Sequence, residues 1–299
     1  MIQSHKPLLS IVIAAWNDPA SLSSCLASLA TQTADASAEV IVVSNYDCPP
    51  QMERQFAFAR FSREPDTAIV PALRTQGVLR SSGQIIAILE DHCTVGDQWC
   101  AEIIKSHELP YSIVGGSVEN APDQKALDWA VYFYDYGNYM LPDTARVVTS
   151  LSGANVSYKR EILEKVKVKY KDGFYEEIVH DELKRHGYSL YLAPSAVVHH
   201  NKKYSLSFAL TQAFHHARTY GAKRISGAFP TKRFMYAAGS MLLPILLPVR
   251  TVVRVLRKGR HRKALGQSLP YLILLLAGWS CGEFSGYVLG EGKSAGRWR

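Results

Sequence analysis

The fold of this chain is indicated by one stretch, Gln84-Ile85-Ile86-Ala87-Ile88-Leu89-Glu90-Asp91-His92. Its five consecutive apolar residues predict a strand buried on both faces, as in the middle of a parallel sheet with helices on each side. Ligands of open α/β sheets bind beyond the carboxyl ends of the strands, and this strand ends at two carboxylates and an imidazole. Such groups suit Mg²⁺ or Mn²⁺ better than a soft metal. Alternatively, these three residues only mark the point at which the strand leaves the core.

The chain before this stretch predicts a βαβ unit. An apolar run at 8–15 and another at 39–44 are typical of buried strands, and the Asp18-Pro19 pair between them is typical of a helix start. This order favours a right-handed crossover and a parallel sheet. We expect a further strand at 66–70 and a helix at 74–82. The sequence G-x-G-x-x-G is absent, so a dinucleotide-binding fingerprint is not supported.

Positive charge is concentrated at the carboxyl-terminal end of the 299-residue chain. Residues 1–249 hold 24 Lys or Arg and 24 Asp or Glu, whereas residues 250–299 hold 10 Lys or Arg against Glu283 and Glu291. A surface for nucleic acid would not be so lopsided, so we expect no nucleic acid partner and predict contact with an anionic membrane surface. The five irregularly spaced cysteines predict neither a disulfide framework nor a zinc cluster.

Two apolar runs lie among these basic residues, one at 234–249 and one at 269–279 that continues past Glu283 to Gly290. Neither run offers the ~20 apolar residues that a spanning helix needs, so we expect both to be re-entrant or to lie in the interface of one leaflet. The alternative is that they are core helices of a soluble domain. Met1–Pro7 lacks the apolar core of a signal peptide, so we place the protein on the cytoplasmic side of the cell membrane.

Further polar candidates occur late in the chain. Glu176 and Glu177 precede a helical run that includes Asp181, and His199-His200 ends a predicted strand. Adjacent residues of a strand point to opposite faces, so at most one of the two histidines can face a site.

The ordered motifs of residues 7–202 resemble those of the family-2 glycosyltransferases, which are inverting enzymes with a GT-A fold. The resemblance is carried by the following stretches and residues: Ser10–Asn17, Leu26–Thr33, Glu39–Val43, Arg74 with Gly77 and Gly83, Leu89–His92, Gly153–Asn155, Glu176-Glu177, Gly187-Tyr188, Pro194 and His200. It implies a Rossmann-like, mostly parallel central α/β sheet with helices on both faces. We expect that domain to cover residues 1–230, followed by membrane-associated apolar helices over residues 231–299.

The resemblance also implies roles for individual residues. Glu90 and His92 take the positions of the two acidic residues of a D-x-D-type motif, and with His200 they would hold Mn²⁺ or Mg²⁺. Glu177 would be the catalytic base, with Glu176 and Asp181 as alternatives. The residues expected to bind a UDP- or GDP-linked sugar are Ala15, Asn17, Ser44, Asn45, Asp47, Arg74, Asp91, Gly153 and Asn155.

These expectations together predict a metal-dependent transferase that moves a sugar to a glycan or a lipid-linked acceptor at the membrane. The altered metal motif leaves a second hypothesis, a non-catalytic membrane subunit that keeps the fold. A nucleotidyltransferase would need a Gly-rich phosphate loop after the first strand, and Ala14-Ala15-Trp16-Asn17 is not one.

Overall fold

A computed structural model describes residues 6–33 and 36–297. Most of the N-terminal segment used above, and the final arginine of the basic end, lie outside the described residues. The chain forms two compact units, one of Met1–Ala121 with Tyr139–Lys202 and one of Pro122–Asn138 with Lys203–Arg299. The domain boundary after residue 230 stays a prediction.

The strands of the described chain are β1 (Leu9–Ala15), β2 (Ala38–Ser44), β3 (Ala59–Arg63), β4 (Ile85–Glu90), β5 (Cys93–Val95), β6 (Ile113–Asn120), β7 (Arg146–Val148), β8 (Asn155–Lys159) and β9 (Leu190–His200). The helices are α1 (Pro19–Leu29), α2 (Pro50–Gln55), α3 (Val70–Arg80), α4 (Trp99–Glu108), α5 (Ala126–Asp135), α6 (Arg160–Lys165), α7 (Glu176–Arg185), α8 (Leu206–Arg224), α9 (Pro230–Ser240), α10 (Leu243–Lys258) and α11 (Arg262–Leu289). Short 3₁₀ turns cover Lys167–Lys169 and Ser294–Gly296.

The first unit contains one mixed sheet, in the order β3-β2-β1-β4-β8-β6-β9-β5, with β7 also paired to β9. The half from β3 to β4 is entirely parallel, and β1 and β4 are buried along almost their whole length. The α/β class and the central position of the two apolar strands are therefore confirmed. The other half mixes directions, because β8 runs antiparallel to both β4 and β6.

The strand expected at 66–70 is wrong. That segment turns into α3, which begins at Val70 and has Pro71 in its first turn, where the missing N–H of proline costs nothing. Its apolar side chains, Ala68 and Val70, pack on a small cluster around Leu73 instead of joining the sheet. The third strand is β3, which pairs with β2.

The second unit consists of α5, the four helices after β9 and the second 3₁₀ turn. Helices α9 and α10 meet at a bend of 62°, and by length and composition this pair is either a broken span or a re-entrant loop. The expectation that the second apolar run offers no clean span is wrong as far as length and composition go, because that run belongs to α11, which continues through Pro270 for 28 residues. By length and composition α11 could cross a membrane, although 44% of its most apolar stretch is buried within the protein.

Candidate active site

The carboxyl ends of β1 and β4 lie side by side, with Ala14 in register with Glu90. The backbone N–H of Trp16 donates a hydrogen bond to Oδ2 of Asp91 at 2.9 Å. Asp91 is buried, and this hydrogen bond links the segment that follows β1 to the segment that follows β4. The polar residues after β4 therefore form ordered contacts at this edge of the sheet and do more than mark the end of a strand.

Arg74 connects this edge to helix α7. Its guanidinium is 6% exposed and donates to Oε2 of Glu176 at 2.7 Å and to Oε1 of Glu90 at 3.2 Å. Arg74 lies on the buried face of α3, and Glu176 is the first residue of α7. One cation thus brings together two carboxylates that are 86 positions apart in the sequence.

His92 contacts both neighbouring carboxylates. Its Nδ1 lies 2.9 Å from Oδ1 of Asp91, and its Nε2 lies 3.1 Å from Oε2 of Glu90. Carboxylate oxygens only accept hydrogen bonds, so this arrangement suits a doubly protonated imidazolium. Burial and the charge of Lys202 lower the pKa of His92, but the hydrogen bonds to Asp91 and Glu90 raise it above its ordinary value.

The charges around Glu90 keep it ionised. Burial alone would raise the pKa of Glu90, but the hydrogen bond to His92 and the charges of His92 and Arg74 hold that pKa well below its usual range. His200 packs edge-to-face on His92, with ring centroids 4.9 Å apart. Burial and the charge of His92 hold the pKa of His200 well below its ordinary value, which keeps its ring neutral. Of the two adjacent histidines, His200 is therefore the one that faces this cluster.

Some of the side chains in this cluster are suitable ligands for a hard divalent cation. Ligand atoms of Glu90, His92 and Cys93 all lie within 4.8 Å of one another. Cys93 is an addition that sequence reasoning missed, because only the pairing of β5 with His200 turns it toward the cluster. Burial and the charge of Glu90 raise the pKa of the Cys93 thiol well above its usual range. It therefore remains a thiol, so Glu90 and His92, with Asp91 beside them, are the groups suited to Mg²⁺ or Mn²⁺.

The predicted nucleotide-binding residues near β1 and β2 divide into buried and exposed groups. Ala15 and Ser44 are buried partners in the sheet, and the hydroxyl of Ser44 donates to the carbonyl of Tyr46. Asn45 is buried and its Nδ2 donates to the carbonyl of Asp66 at 3.2 Å. Within the described part of the chain, Oδ1 of Asn45 has no hydrogen-bond partner.

Two residues of the same group face solvent. Asn17 is exposed, with a left-handed backbone at φ 56° directly after Trp16. Asp47 is 79% exposed and pairs with Arg63 at 3.0 Å. Both lie at the carboxyl edge of the parallel strands, but neither is held by the charge network around Arg74.

Gly153 and Asn155 have different surroundings. A Cβ atom at Gly153 would lie 2.3 Å from Oε1 of Glu176, so only glycine leaves that carboxylate in place. The Asn155 amide is buried in the sheet, where it accepts from Nε1 of Trp99 and donates to the carbonyls of Ser117 and Ala196. The two carbonyls lie where the pairing of β6 and β9 shifts register, so the Asn155 side chain takes the place of missing backbone hydrogen bonds there. The structure thus gives the Asn155 side chain a sheet-building role, and its contact with a donor stays a prediction.

The three candidates for the base occupy different positions on α7. Glu176 is half-buried and bonded to Arg74. Glu177 is exposed, and Asp181 is 62% exposed and pairs with Lys184 at 2.8 Å. Among these three, Glu176 is the carboxylate that the described contacts join to Glu90.

A parallel half-sheet with this acidic and imidazole edge has the architecture of a GT-A-type glycosyltransferase. The family model for glycosyl transferase family 2 matches residues 10–167, just over half of the chain, and the chain belongs to that family. It is 31% identical over 124 residues to glycosyltransferase AglE of Haloferax volcanii, a match covering 39% of this chain and 41% of that relative. It also resembles the mannosyltransferase PcManGT of Pyrobaculum calidifontis, whose structure contains GDP-Man and Mn²⁺. That likeness has a TM-score of 0.56 and 16% identity, covers 94% of this chain and 88% of the other, and shows a shared fold.

Proposed function

We propose that this protein is a metal-dependent inverting glycosyltransferase that uses a nucleotide sugar. The observation that carries the proposal is the link from Glu90 through Arg74 to Glu176, which joins a cation-binding strand end to a carboxylate on α7. Family membership and the relative named as a glycosyltransferase support the reaction class. The structure solved with GDP-Man and Mn²⁺ supports a nucleotide-sugar donor and a divalent cation.

Glu90 and His92 would hold the cation, with Asp91 orienting His92 and His200 packed behind it. When bound, a divalent cation neutralises charge on the departing diphosphate. For His92 to become a ligand, its Nε2 must lose its proton and its contact with Oε2 of Glu90. Arg74 stays bonded to the other oxygen of Glu90 and keeps that carboxylate in place.

Glu176 is our choice for the catalytic base among the three predicted carboxylates. Its carboxylate takes the proton from an acceptor hydroxyl while that oxygen bonds to the anomeric carbon. The bond from the anomeric carbon to the diphosphate breaks on the opposite side, so the configuration inverts and the nucleoside diphosphate leaves with the electron pair. Arg74 orients Glu176, and Gly153 leaves room for its side chain.

Asn45 supports a donor that carries uracil or guanine. Its Nδ2 is committed to the carbonyl of Asp66, so its buried Oδ1 can only accept a hydrogen bond. Uracil and guanine present a ring N–H to such an acceptor, whereas cytosine and adenine can offer it only an exocyclic amino group. A UDP- or GDP-linked sugar is therefore the donor that we propose.

The acceptor that we propose is a lipid-linked or polysaccharide-precursor hydroxyl at the cytoplasmic face of the membrane. The basic charge and apolar helices after residue 230 support a location at an anionic membrane surface.

A second candidate, a non-catalytic membrane subunit, is favoured by one observation. Both nitrogens of His92 are occupied by carboxylates, which is a stable arrangement without a cation.

The test is release of nucleoside diphosphate from a panel of UDP-, GDP-, CDP- and ADP-sugars, with Mn²⁺, with Mg²⁺ and with chelator. The enzyme should turn over a UDP- or GDP-sugar only with the cation. Glu176→Gln should abolish turnover, whereas the matched variants Glu177→Gln and Asp181→Asn should retain it. Loss in Glu177→Gln alone would assign the base to Glu177. Calorimetry that detects no binding of any nucleotide sugar with metal would favour the non-catalytic subunit.

A further inference from the structure

The second half of α11 is an interior helix of its unit. Gly278, Gly282 and Gly286 form a stripe along which α8 approaches closely. A Cβ at Gly282 would lie 2.2 Å from the carbonyl oxygen of Phe214, and one at Gly286 would lie 2.3 Å from that of Arg218. A step of four residues along α11, from Gly282 to Gly286, matches a step of four along α8, from Phe214 to Arg218. The two helices therefore run side by side in the same direction.

The face of α11 that contacts α8 also contains a buried charge. Glu283 is 5% exposed and accepts hydrogen bonds from Nε1 of Trp279 at 2.9 Å and from the hydroxyl of Tyr287. Arg224 of α8 lies 3.5 Å from the same carboxylate. These contacts give the buried Glu283 carboxylate hydrogen-bond partners and a neighbouring positive charge inside the protein.

Helix α8 is too polar to accompany α11 through a bilayer. The polar or ionisable side chains of α8 are Ser207, Thr211, Gln212, His215, His216, Arg218, Thr219, Tyr220, Lys223 and Arg224. Arg218 donates to the carbonyl of Gly290, just after α11. If α11 crossed the hydrocarbon, the polar side chains of α8 that lie beside its second half, among them Gln212, His215 and His216, would have to enter it as well, which is unfavourable. The length of α11 therefore does not make it a spanning helix.

Helix α10 exposes a row of apolar side chains. Its buried side includes Thr251 and Val255. A row of apolar side chains with helical spacing lies on its other side and at the preceding turn, and each is between 38% and 68% exposed: Met241, Leu242, Ile245, Leu246, Val249, Val253 and Leu256. We call this row the α10 face. Monomeric proteins rarely expose a continuous apolar surface of this kind without a partner.

The charge around the α10 face identifies the partner. Residues 230–263 contain nine Lys or Arg and no Asp or Glu. An apolar helix face bordered by cations is complementary to the interface of an anionic bilayer, where the side chains enter the acyl region and the cations meet the headgroups.

We propose that the α10 face lies in the plane of an anionic bilayer surface and anchors the protein to one leaflet, and that α11 does not cross the membrane. This inference deepens the membrane location given under the proposed function. It identifies the inserted surface and excludes the helix that length and composition favour.

The first experiment measures binding of the full chain to vesicles by sedimentation. The wild type should bind vesicles of phosphatidylcholine and phosphatidylglycerol in equal parts, and bind poorly to phosphatidylcholine alone. Leu246→Glu with Val253→Glu should reduce binding at least about tenfold, because two inserted side chains become charged. The control Leu79→Glu, at a 46% exposed leucine of α3, should bind as the wild type. Unchanged binding of the double variant, or equal loss in the control, would overturn the proposal.

The second experiment separates an in-plane anchor from a span. Lys263→Cys and Lys293→Cys place thiols at exposed positions at opposite ends of α11, in a background with Cys281→Ser. With protein bound to preformed vesicles, an impermeant maleimide should label both positions, as located by peptide mass. Protection of one position would show that α11 crosses. Donor turnover in the same preparations tests the enzymatic proposal separately, since its absence would leave the binding and labelling results unchanged.

Discussion

Replacing Arg74 by methionine tests the contact network that defines the site. Methionine keeps much of the length of the side chain but removes the cation between Glu90 and Glu176. The guanidinium is 6% exposed, and the two carboxylates are 20% and 27% exposed. Both carboxylates would then remain partly buried without that partner, and their mutual repulsion would no longer be neutralised.

The expected loss follows from this burial. Removing one member of a buried ion pair costs about 3–5 kcal/mol, mainly because the remaining charge stays desolvated. Glu90 and Glu176 keep some contact with water, so we expect Arg74→Met to lower the free energy of unfolding by about 3 kcal/mol at neutral pH. Adding Glu176→Gln should recover part of this loss, because it removes one of the two carboxylate charges that lose Arg74.

The measurement is urea unfolding of the full chain, followed by tryptophan fluorescence and by circular dichroism. The matched control is Arg80→Met, which removes a cation from the same helix. Arg80 is 38% exposed and pairs with Glu64, so its loss should cost less than about 1 kcal/mol. Equal effects of the two substitutions, or no recovery in the double variant, would refute the idea that Arg74 is a buried clamp.

Three further substitutions test other parts of the first unit. Gly153→Ala would place its Cβ 2.3 Å from Oε1 of Glu176 and displace that carboxylate. Donor turnover should therefore fall at least about tenfold, whereas the free energy of unfolding should change by less than about 1 kcal/mol. Asn155→Ala should lower the free energy of unfolding by about 3 kcal/mol, since the indole N–H of Trp99 and two carbonyls lose their buried partner. Burial lowers the pKa of His180 to about 3, below its unfolded value, so acid protonates the unfolded chain first. Its contribution to stability should fall by ~1.4 kcal/mol per pH unit below about pH 6.5, and His180→Gln should flatten that slope in urea unfolding between about pH 7 and pH 5.

Strand and helix positions near the start of the chain were predictable because they depend on local composition. Continuous apolar runs predicted β1, β2 and β4, since a strand covered on both faces needs apolar side chains in both directions. The same rule failed at 66–70, where a short apolar segment packs as a turn and helix start. Short runs carry too little periodicity to separate the two outcomes.

The sequence alone determined the α/β class, the family resemblance and the stretch Glu90-Asp91-His92 as the candidate metal site. Only the tertiary structure decided that Arg74 bonds Glu176, that the Asn155 side chain builds the sheet, and that α11 packs along polar α8. The physical reason is that propensity and periodicity act over a few neighbouring residues, whereas charge pairing and close packing depend on groups that meet only after the chain has folded.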